Sequence, residues 1–440
     1  MMEVKIKDNA WIRKKEFENV NSLVRKISDK TLGQLSDEGI FLVPELIKEA
    51  KDITKDQMIL QSVNEYYRTS NVMGFMGYGN QHLIIQSRFS SELEDHFFQY
   101  LLEVVLDYPN VLDLSSTMKQ ENRLFNLYLF LFPHYLKKAM RKGLFKTYIH
   151  KRYNNVDIKG TIDIKRHIRE NTPFVGRIAY DRREFSYDNP LMQLIRHTIE
   201  FIKTGSYGRV LLNKAKEEVS DVVEATSNYE YYKRRKVINE NKKDPIRHAY
   251  FSEYRELQRL CLMILQYEKH QFGSGTREIY GILFDGAWLW EEYVNHLIKE
   301  WFYHPMNKGG QGAQRLFEGN IGLIYPDFIG RATDNRIIAD AKYKPMNNIG
   351  GSDYLQVLAY MMRFDAKRGF YLYPCHNGNE KVELKLNRGS TYEKNVSARE
   401  DISVVKLGLR IPQNAESYDD FKGQMENSER SFMDQITDHF

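Results

Sequence analysis

Two short stretches carry the residue types and spacing for phosphate chemistry, Pro326-Asp327 and Asp340-Ala341-Lys342. Each interrupts an apolar run that reads as a strand, 320–329 and 336–343, with a polar turn through Thr333-Asp-Asn335 between them. An acid inside a buried strand is costly unless something neutralises it. Asp340 and Lys342 are two residues apart, and side chains at that spacing share one face of the pleat. If the strands pair as a hairpin, Asp327 joins them, and two carboxylates and an ammonium converge on one point. Hard oxygen ligands of this kind suit Mg²⁺, with substrate phosphate oxygens completing the shell, and Mn²⁺ can substitute. Such a metal lowers the pKa of a bound water and neutralises phosphate charge. The lysine can orient or activate that water and stabilise developing charge. A lone Asp-x-Lys is a common surface ion pair; the weight lies in the whole series, with a glutamate-bearing helix before it and another helix after it.

The elements that must position these residues follow from the surrounding pattern. A short strand at 279–284 leads to Asp285, a good N-cap, and the helix after it puts Trp290, Tyr293, Val294, Leu297, Ile298 and Trp301 on one face. Gly309-Gly-Gln-Gly312 reads as a flexible loop near the site, because no helix start with Lys-Ser/Thr follows it. A helix at 352–364 and a strand at 369–373 complete an α/β unit over 273–410. Upstream, 1–90 is mixed and β-rich, with a Gly/Asn turn between apolar runs at 73–85 that reads as a hairpin. Region 91–272 is mostly helical. It begins with a helix at 91–106 under a Ser91/Glu94 capping box. A helix at 122–132 follows, which Pro133 kinks or restarts. After a strand-and-turn segment at 145–187 comes a helix capped by Asp188, opened by Pro190 and ended at Gly205. Two more helices lie at about 209–225 and 252–271. The acidic tail 411–440 reads as a frayed end or a small partner-binding helix. The fold class expected is α+β multidomain, a β-rich and helical N-terminal part followed by an α/β domain.

Composition narrows the alternatives. With 440 residues and 52.1 kDa the chain has room for two to four domains. Hydrophobic residues at 42% and charged ones at 28% are ordinary for a packed, water-soluble chain and exclude global disorder. No apolar run is long enough to span a membrane and the N-terminus has no apolar signal core, so a cytoplasmic protein without a membrane segment is expected. Two cysteines, Cys261 and Cys375, exclude a disulfide framework and a four-Cys zinc site. No Gly-Lys pair occurs, so the usual phosphate-binding loop of a nucleotide hydrolase is missing. The net charge is +5, yet residues 133–183 hold 14 Lys/Arg against 4 Asp/Glu, with aromatics interleaved. That block either neutralises phosphates or is a solvated basic face.

The series from Pro326 to Lys342 resembles the PD-(D/E)xK nuclease signature. The resemblance implies that Asp327 and Asp340 bind divalent metal, that the backbone carbonyl of Ala341 is a further ligand, and that Lys342 assists attack of water on a phosphodiester. Glu291, in Trp290-Glu-Glu-Tyr293, matches the helix glutamate of many members, with Glu292 as an alternative match. Gln356-Val-Leu-Ala-Tyr360 resembles the Gln-x-x-x-Tyr motif of RecB-like members; its i, i+4 spacing puts both side chains on one helix face, where they touch DNA or support the lysine. Phe284-Asp285, Asp340-Ala-Lys-Tyr-Lys344 and Gly369-Phe-Tyr-Leu-Tyr-Pro374 resemble McrC, the nuclease subunit of McrBC-type restriction systems, and the related LlaJI-type subunits. Gly143-Leu-Phe-Lys-Thr-Tyr148, Lys159-Gly-Thr-Ile-Asp163 and Phe185-Ser-Tyr-Asp-Asn-Pro190 fit the same family in order, with Lys159 standing where an arginine is expected.

The resemblance implies an Mg²⁺-dependent endonuclease subunit of a restriction system. It would cut double-stranded DNA when an McrB-like AAA+ GTPase, supplied in trans, delivers it. Two nuclease subunits would meet to cut both strands. It also implies that part of 1–90 docks on the motor, with the hairpin near Gly74–Ile85 either entering the motor ring or only packing on its own domain. Lys344, Arg182 and Arg183 are candidate DNA contacts. Two other readings compete: a non-catalytic adaptor that activates a motor, and a stand-alone RecB-like repair nuclease.

Overall fold

A computed structural model describes residues 2–43, 56–91, 95–106, 120–205, 208–271, 279–305, 313–319, 321–376, 381–390, 392 and 394–438. The chain divides into two compact units, one of Met1–Leu124 with Gly275–Phe440 and the other of Phe125–Ser274. The expected glycine-rich loop at 309–312 and the Glu94 half of the capping box lie outside the described residues.

In chain order the first stretch holds β1 Met2–Lys7, β2 Trp11–Arg13, α1 Asn21–Ile27, α2 Leu32–Asp37, β3 Ile40–Val43, β4 Leu60–Val63, β5 Tyr66–Thr69, β6 Val72–Tyr78, β7 Gln81–Gln86 and α3 His96–Leu106. The middle holds α4 Gln120–Met140, β8 Thr147–Asn155, β9 Thr161–Ile162, α5 Ile164–Glu170, β10 Ile178–Ser186, α6 Pro190–Lys203, α7 Gly208–Asn213, α8 Lys216–Ala225, α9 Arg234–Lys243 and α10 Ser252–Gln271. The last stretch holds β11 Tyr280–Asp285, α11 Gly286–Ile298, β12 Phe302–Tyr303, β13 Gln314–Arg315, β14 Leu323–Ile324, β15 Phe328–Gly330, β16 Ile337–Ala341, α12 Ser352–Arg363, β17 Arg368–Cys375, β18 Lys381–Ser390, β19 Asn395–Arg410 and α13 Tyr418–Thr437.

The expected hairpin at 73–85 forms as β6 and β7, turning at Gly79-Asn80 with Gly79 at φ 59°. Glycine takes that backbone region at no steric cost, and at the first turn position it matches the strand twist. The strands, however, lie inside a five-stranded sheet of order β1-β7-β6-β11-β3 and are largely buried. They pack on their own domain, and Gly79 and Asn80 at the turn are exposed. β11, which the sequence pattern assigns to the C-terminal domain, pairs antiparallel with β6 and parallel with β3. The regions read as separate N- and C-terminal domains thus share one unit and one sheet.

A second sheet, of order β12-β15-β16-β17-β19-β18, carries Asp340. The expected strand at 320–329 is two pieces, β14 and β15, separated at Pro326, which has no N–H to give to a ladder. β15 and β16 pair antiparallel, with Phe328 opposite Ala339. β16 and β17 run parallel, and α12 covers them, burying Val357, Tyr360 and Met361 against Ile338, Tyr371 and Tyr373. The tail is neither frayed nor free: α13 buries Phe421, Met425, Phe432 and Ile436. Its Glu429 accepts hydrogen bonds from the hydroxyls of Tyr100 and Tyr293, at 2.7 and 2.5 Å.

In the other unit, α6 buries Leu191, Leu194, Ile195, Thr198 and Ile202, as its periodicity predicts, against α9 and α10. Its cap is Asn189, whose side chain accepts from Met192 N at 3.1 Å, rather than Asp188, which takes Gln193 and Asn228 instead. α4 runs through Pro133 without a restart, the stretch near 209–225 breaks into α7 and α8, and α9 is an addition. Near the N-terminus of α3, Asp95 rather than Ser91 caps the helix, accepting from Phe98 N at 3.0 Å.

Two stability predictions follow. Phe432→Ala removes a fully buried ring from α13 and is expected to cost roughly 3–5 kcal/mol; an unchanged unfolding midpoint would contradict that packing. His197 is buried, which pushes its pKa down to about 4, with Arg234 and Arg196 adding to the effect. The unfolded chain therefore takes up the proton first, near the ordinary histidine value. The stability this neutral group contributes is complete above about pH 6.5 and is lost as pH falls toward 4, on the order of 3 kcal/mol. Across that window wild type should weaken more steeply than His197→Gln in denaturant titrations.

Candidate active site

β16 ends on the sequence Asp340-Ala341 with Lys342 directly after it, and this strand end sets the centre. Asp340 is fully buried. Lys342 Nζ lies 2.5 Å from Asp340 Oδ2, so the two side chains do share one face. Asp327, just before β15, accepts from Ala341 N through Oδ2 at 2.9 Å. The antiparallel β15/β16 register therefore brings all three residues of the expected series together. Ala341 contributes its amide to this arrangement.

α11 supplies the next acid. Asp285 caps it, accepting from Ala287 N at 2.9 Å, and the backbone N–H of Gly286 donates to Asn71 O at 2.9 Å. A Cβ at Gly286 would stand 2.7 Å from the Tyr343 ring, so glycine is what lets the helix start so close. Trp290 Nε1 then donates to Leu372 O on β17 at 3.0 Å, which fixes the helix phase. In that phase Glu291 is buried and lines the cleft with Asp327 and Asp340. Glu292 turns to Trp288 Nε1, 3.2 Å away, and to His304. Glu291 is therefore the helix glutamate of the site.

α12 supports the lysine. Lys342 Nζ donates to Gln356 Oε1 at 3.1 Å; Gln356 Nε2 donates to the Tyr360 hydroxyl at 2.6 Å; that hydroxyl donates to Tyr325 O at 3.0 Å. The Gln-x-x-x-Tyr pair thus ties the lysine to the chain just ahead of Asp327. Asp353, which sequence reasoning missed, stands 3.7 Å from Lys342 Nζ and accepts from Lys344 Nζ at 2.6 Å and Gly350 N at 3.0 Å. Its position in the first turn of a helix was a readable signal. His304, also missed, sits between Glu291 and Glu292 at 3.7 Å from each, with Nδ1 2.9 Å from the Asp327 carbonyl; nothing in the sequence pointed to it.

The charges are unbalanced. Burial holds the Asp327 carboxyl well above the usual carboxylate range, and the negative charges of Asp340 and Glu291 push it the same way. Burial disfavours the Lys342 ammonium, but Asp340 and Asp327 outweigh it and hold the lysine firmly protonated. Burial likewise opposes charge on His304, yet Glu292, the Asp327 carbonyl and Glu291 raise its pKa. Lys344 and the Gly350 amide keep Asp353 ionised against its own burial. The centre therefore holds more carboxylates than cations, an arrangement that suits a divalent ion. Among the described residues no three His, Cys, Asp or Glu side chains gather closely enough to hold one unaided. Asp327, Asp340 and the backbone carbonyl of Ala341 would be the protein's share, leaving water or phosphate oxygens to complete the shell, as Mg²⁺ prefers.

Glu291, Asp327, Asp340, Lys342, Asp353 and Gln356 line one cleft of about 1030 Å³ within the first unit. Lys344 lines it. Arg182 and Arg183 belong to the other unit, where they are exposed on β10; Arg183 lies over the Tyr148 ring at 4.7 Å.

The family described as McrBC 5-methylcytosine restriction system component matches residues 67–374. This chain belongs to that family. No curated protein matches it. Among solved structures, a half-complex from a tetradecameric assembly of Thermococcus gammatolerans McrB AAA+ hexamers with bound McrC is similar over 97% of this chain and 99% of that one, at 12% identity and a TM-score of 0.45. The cryo-EM structure of the Thermococcus gammatolerans McrBC complex is similar over 68% of this chain and 87% of that one, at 11% identity and a TM-score of 0.31. The McrBC-family match spans most of the first unit's cleft and all of the second unit, and it begins after β4. No helix among the described residues is long and apolar enough to cross a membrane.

Tyr360→Phe tests the support chain. It leaves the Tyr325 carbonyl and the Gln356 amide without their bridge and is expected to cost roughly 1–3 kcal/mol in denaturant unfolding. A variant as stable as wild type would mean that the bridge contributes nothing.

Proposed function

We propose that this chain is the nuclease subunit of its restriction system, hydrolysing phosphodiester bonds of double-stranded DNA with Mg²⁺. The observation that carries the reading is the convergence of Asp327, Asp340 and Lys342 at the end of β16, with Glu291 beside them in one open cleft. A divalent ion held there would supply Lewis-acid polarisation of the scissile phosphate and a more acidic bound water. The chain's own residues do the rest. Lys342, kept protonated by its acidic neighbours, donates to the phosphate or to the attacking water and offsets charge that builds on the phosphoryl oxygens. Gln356, braced by Tyr360, fixes where that ammonium points. Lys344 and Asp353 form the outer support.

The reading includes a motor partner of the McrB AAA+ type, since the sequence offers no phosphate-binding loop of its own. The surface best suited to such a partner is in the second unit rather than on the buried β6/β7 strands. There, α5 and the segment after it expose Ile164 (68%), Ile168, Phe174 (67%) and Val175. Apolar side chains clustered in the open in this way mark interaction surfaces. Arg182 and Arg183 stand on the neighbouring strand as contacts for an acidic partner or for DNA.

The test is a cleavage assay with Mg²⁺ and GTP, with and without the AAA+ partner. Lys342→Ala and Asp340→Asn should each lower cleavage at least 10²-fold, about 3 kcal/mol of barrier. The asparagine keeps the buried shape without stranding Lys342 beside a hole. EDTA should abolish cutting. A folded wild-type chain that stimulates its partner's GTP hydrolysis but never cuts DNA with any divalent ion would make it an adaptor. Cutting without partner or nucleotide would make it a stand-alone nuclease.

A further inference from the structure

The small sheet of order β2-β5-β4 is not accounted for by the catalytic centre, and β2 and β4 lie outside the family match. One of its faces is packed: Ile12, Leu60 and Thr69 are buried. The other alternates outward and is open. Cross-strand register puts Trp11, Arg68 and Gln61 in one row and Arg13, Tyr66 and Val63 in the next. Aromatic and guanidinium groups therefore alternate in both directions. Trp11 is 56% exposed and Tyr66 37% exposed. Their rings meet edge to face at 6.5 Å, and the Arg68 guanidinium stands 5.7 Å from the Trp11 ring. Arg13 is followed by Lys14 and Lys15, so the basic edge continues past the strand.

The face is continuous with the cleft. Gln61 and Arg68 line it, and β5 leads straight through Thr69, Ser70 and Asn71 to the start of α11. The floor of that cleft is acidic, which repels a polyanion, so cations must come from the rim. Arg88, another lining residue, is already engaged by Asp8 at 2.6 Å. Arg68 has no carboxylate partner among the ion pairs of the described residues and presents its charge to the opening.

We propose that this outward face binds an unpaired DNA strand and leads it into the catalytic cleft, Trp11 and Tyr66 stacking on bases while Arg13 and Arg68 neutralise phosphates. Accessible rings beside arginines are how proteins grip single strands without reading sequence; paired bases inside a duplex would leave the rings without a surface to stack on. The inference rests on the nuclease reading and refines its substrate: where the duplex is cut, the strand led to the cleft is locally unpaired.

The experiment uses the full chain in EDTA, so that nothing is cut, with fluorescence anisotropy of labelled oligo-dT and of a matched duplex. Trp11→Ala should weaken oligo-dT binding about tenfold and duplex binding far less, while Trp11→Phe stays within about twofold of wild type. Arg68→Gln should weaken binding and flatten the salt dependence by about 0.7 in log–log slope. Three results would overturn the proposal: wild-type oligo-dT affinity in Trp11→Ala, an equal loss for duplex and single strand, or unchanged DNA binding with loss of the AAA+ partner, which would make the face a protein dock. Because no metal is present, the assignment of Asp340 and Lys342 can fail without touching this result. The strand platform can equally fail while Asp340→Asn still abolishes cleavage.

Discussion

Asp340 is a charge with almost no access to water, and the rest of the site is arranged around that fact. Removing a carboxylate from water costs several kcal/mol, and a neighbouring cation offsets it only if its position is held. Lys342 is that cation, and its ammonium is held by Gln356 and attracted by Asp353. The residue after it, Tyr343, is held just as firmly. Its hydroxyl shares a hydrogen bond with Ser87 at 2.6 Å, its ring packs edge-on to Phe89, and the Arg88 guanidinium lies 4.8 Å from the ring centre. The strand end that carries the ion pair is therefore clamped on one side by α12 and on the other by the N-terminal sheet. This coupling gives the N-terminal region a part in the site even though it supplies none of the site's carboxylates.

The same electrostatics explain why one lysine does not neutralise the centre. Asp327 and Glu291 add negative charge faster than Lys342 and His304 relieve it, and the cost appears as a carboxyl held above its usual range. A centre in this condition gains from a bound proton or, if the proposed metal binds, from the added dication. Acid should therefore compete with metal.

Much of this was legible in the sequence because it is local. Alternation and turn chemistry place Asp340 and Lys342 on one face, helical spacing pairs Gln356 with Tyr360, and the β15/β16 turn is short enough to bring Asp327 across. Glu291 against Glu292 was open because both phases suit the apolar stripe; the Trp290 indole bond to Leu372 decides it, and no periodicity encodes that bond. What the sequence hid is non-local. Nothing in Ile282-Leu283-Phe284 says that the strand joins β6 and β3 rather than β16, since an apolar strand is buried equally well in either sheet. The tail was misread for a related reason: its apolar residues are sparse, and the Tyr100 and Tyr293 hydroxyls that hold its Glu429 lie far away in the chain. Asp188 and Asn189 are both good caps, and the choice between them turns on the Asn189 amide donating to the Phe145 carbonyl across the fold.

The late arrival of β11 bears on how the protein is made. A ribosome delivers β6 and β3 long before residue 280, and the whole second unit is synthesised in between. Until then the emerging sheet has a gap along two apolar strand edges, an invitation to wrong pairing. The acids of the centre come later still, on the far side of that closure. The strand that closes the N-terminal sheet is thus made before Asp327 and Asp340, and the carboxylate cluster is among the last features the growing chain can form.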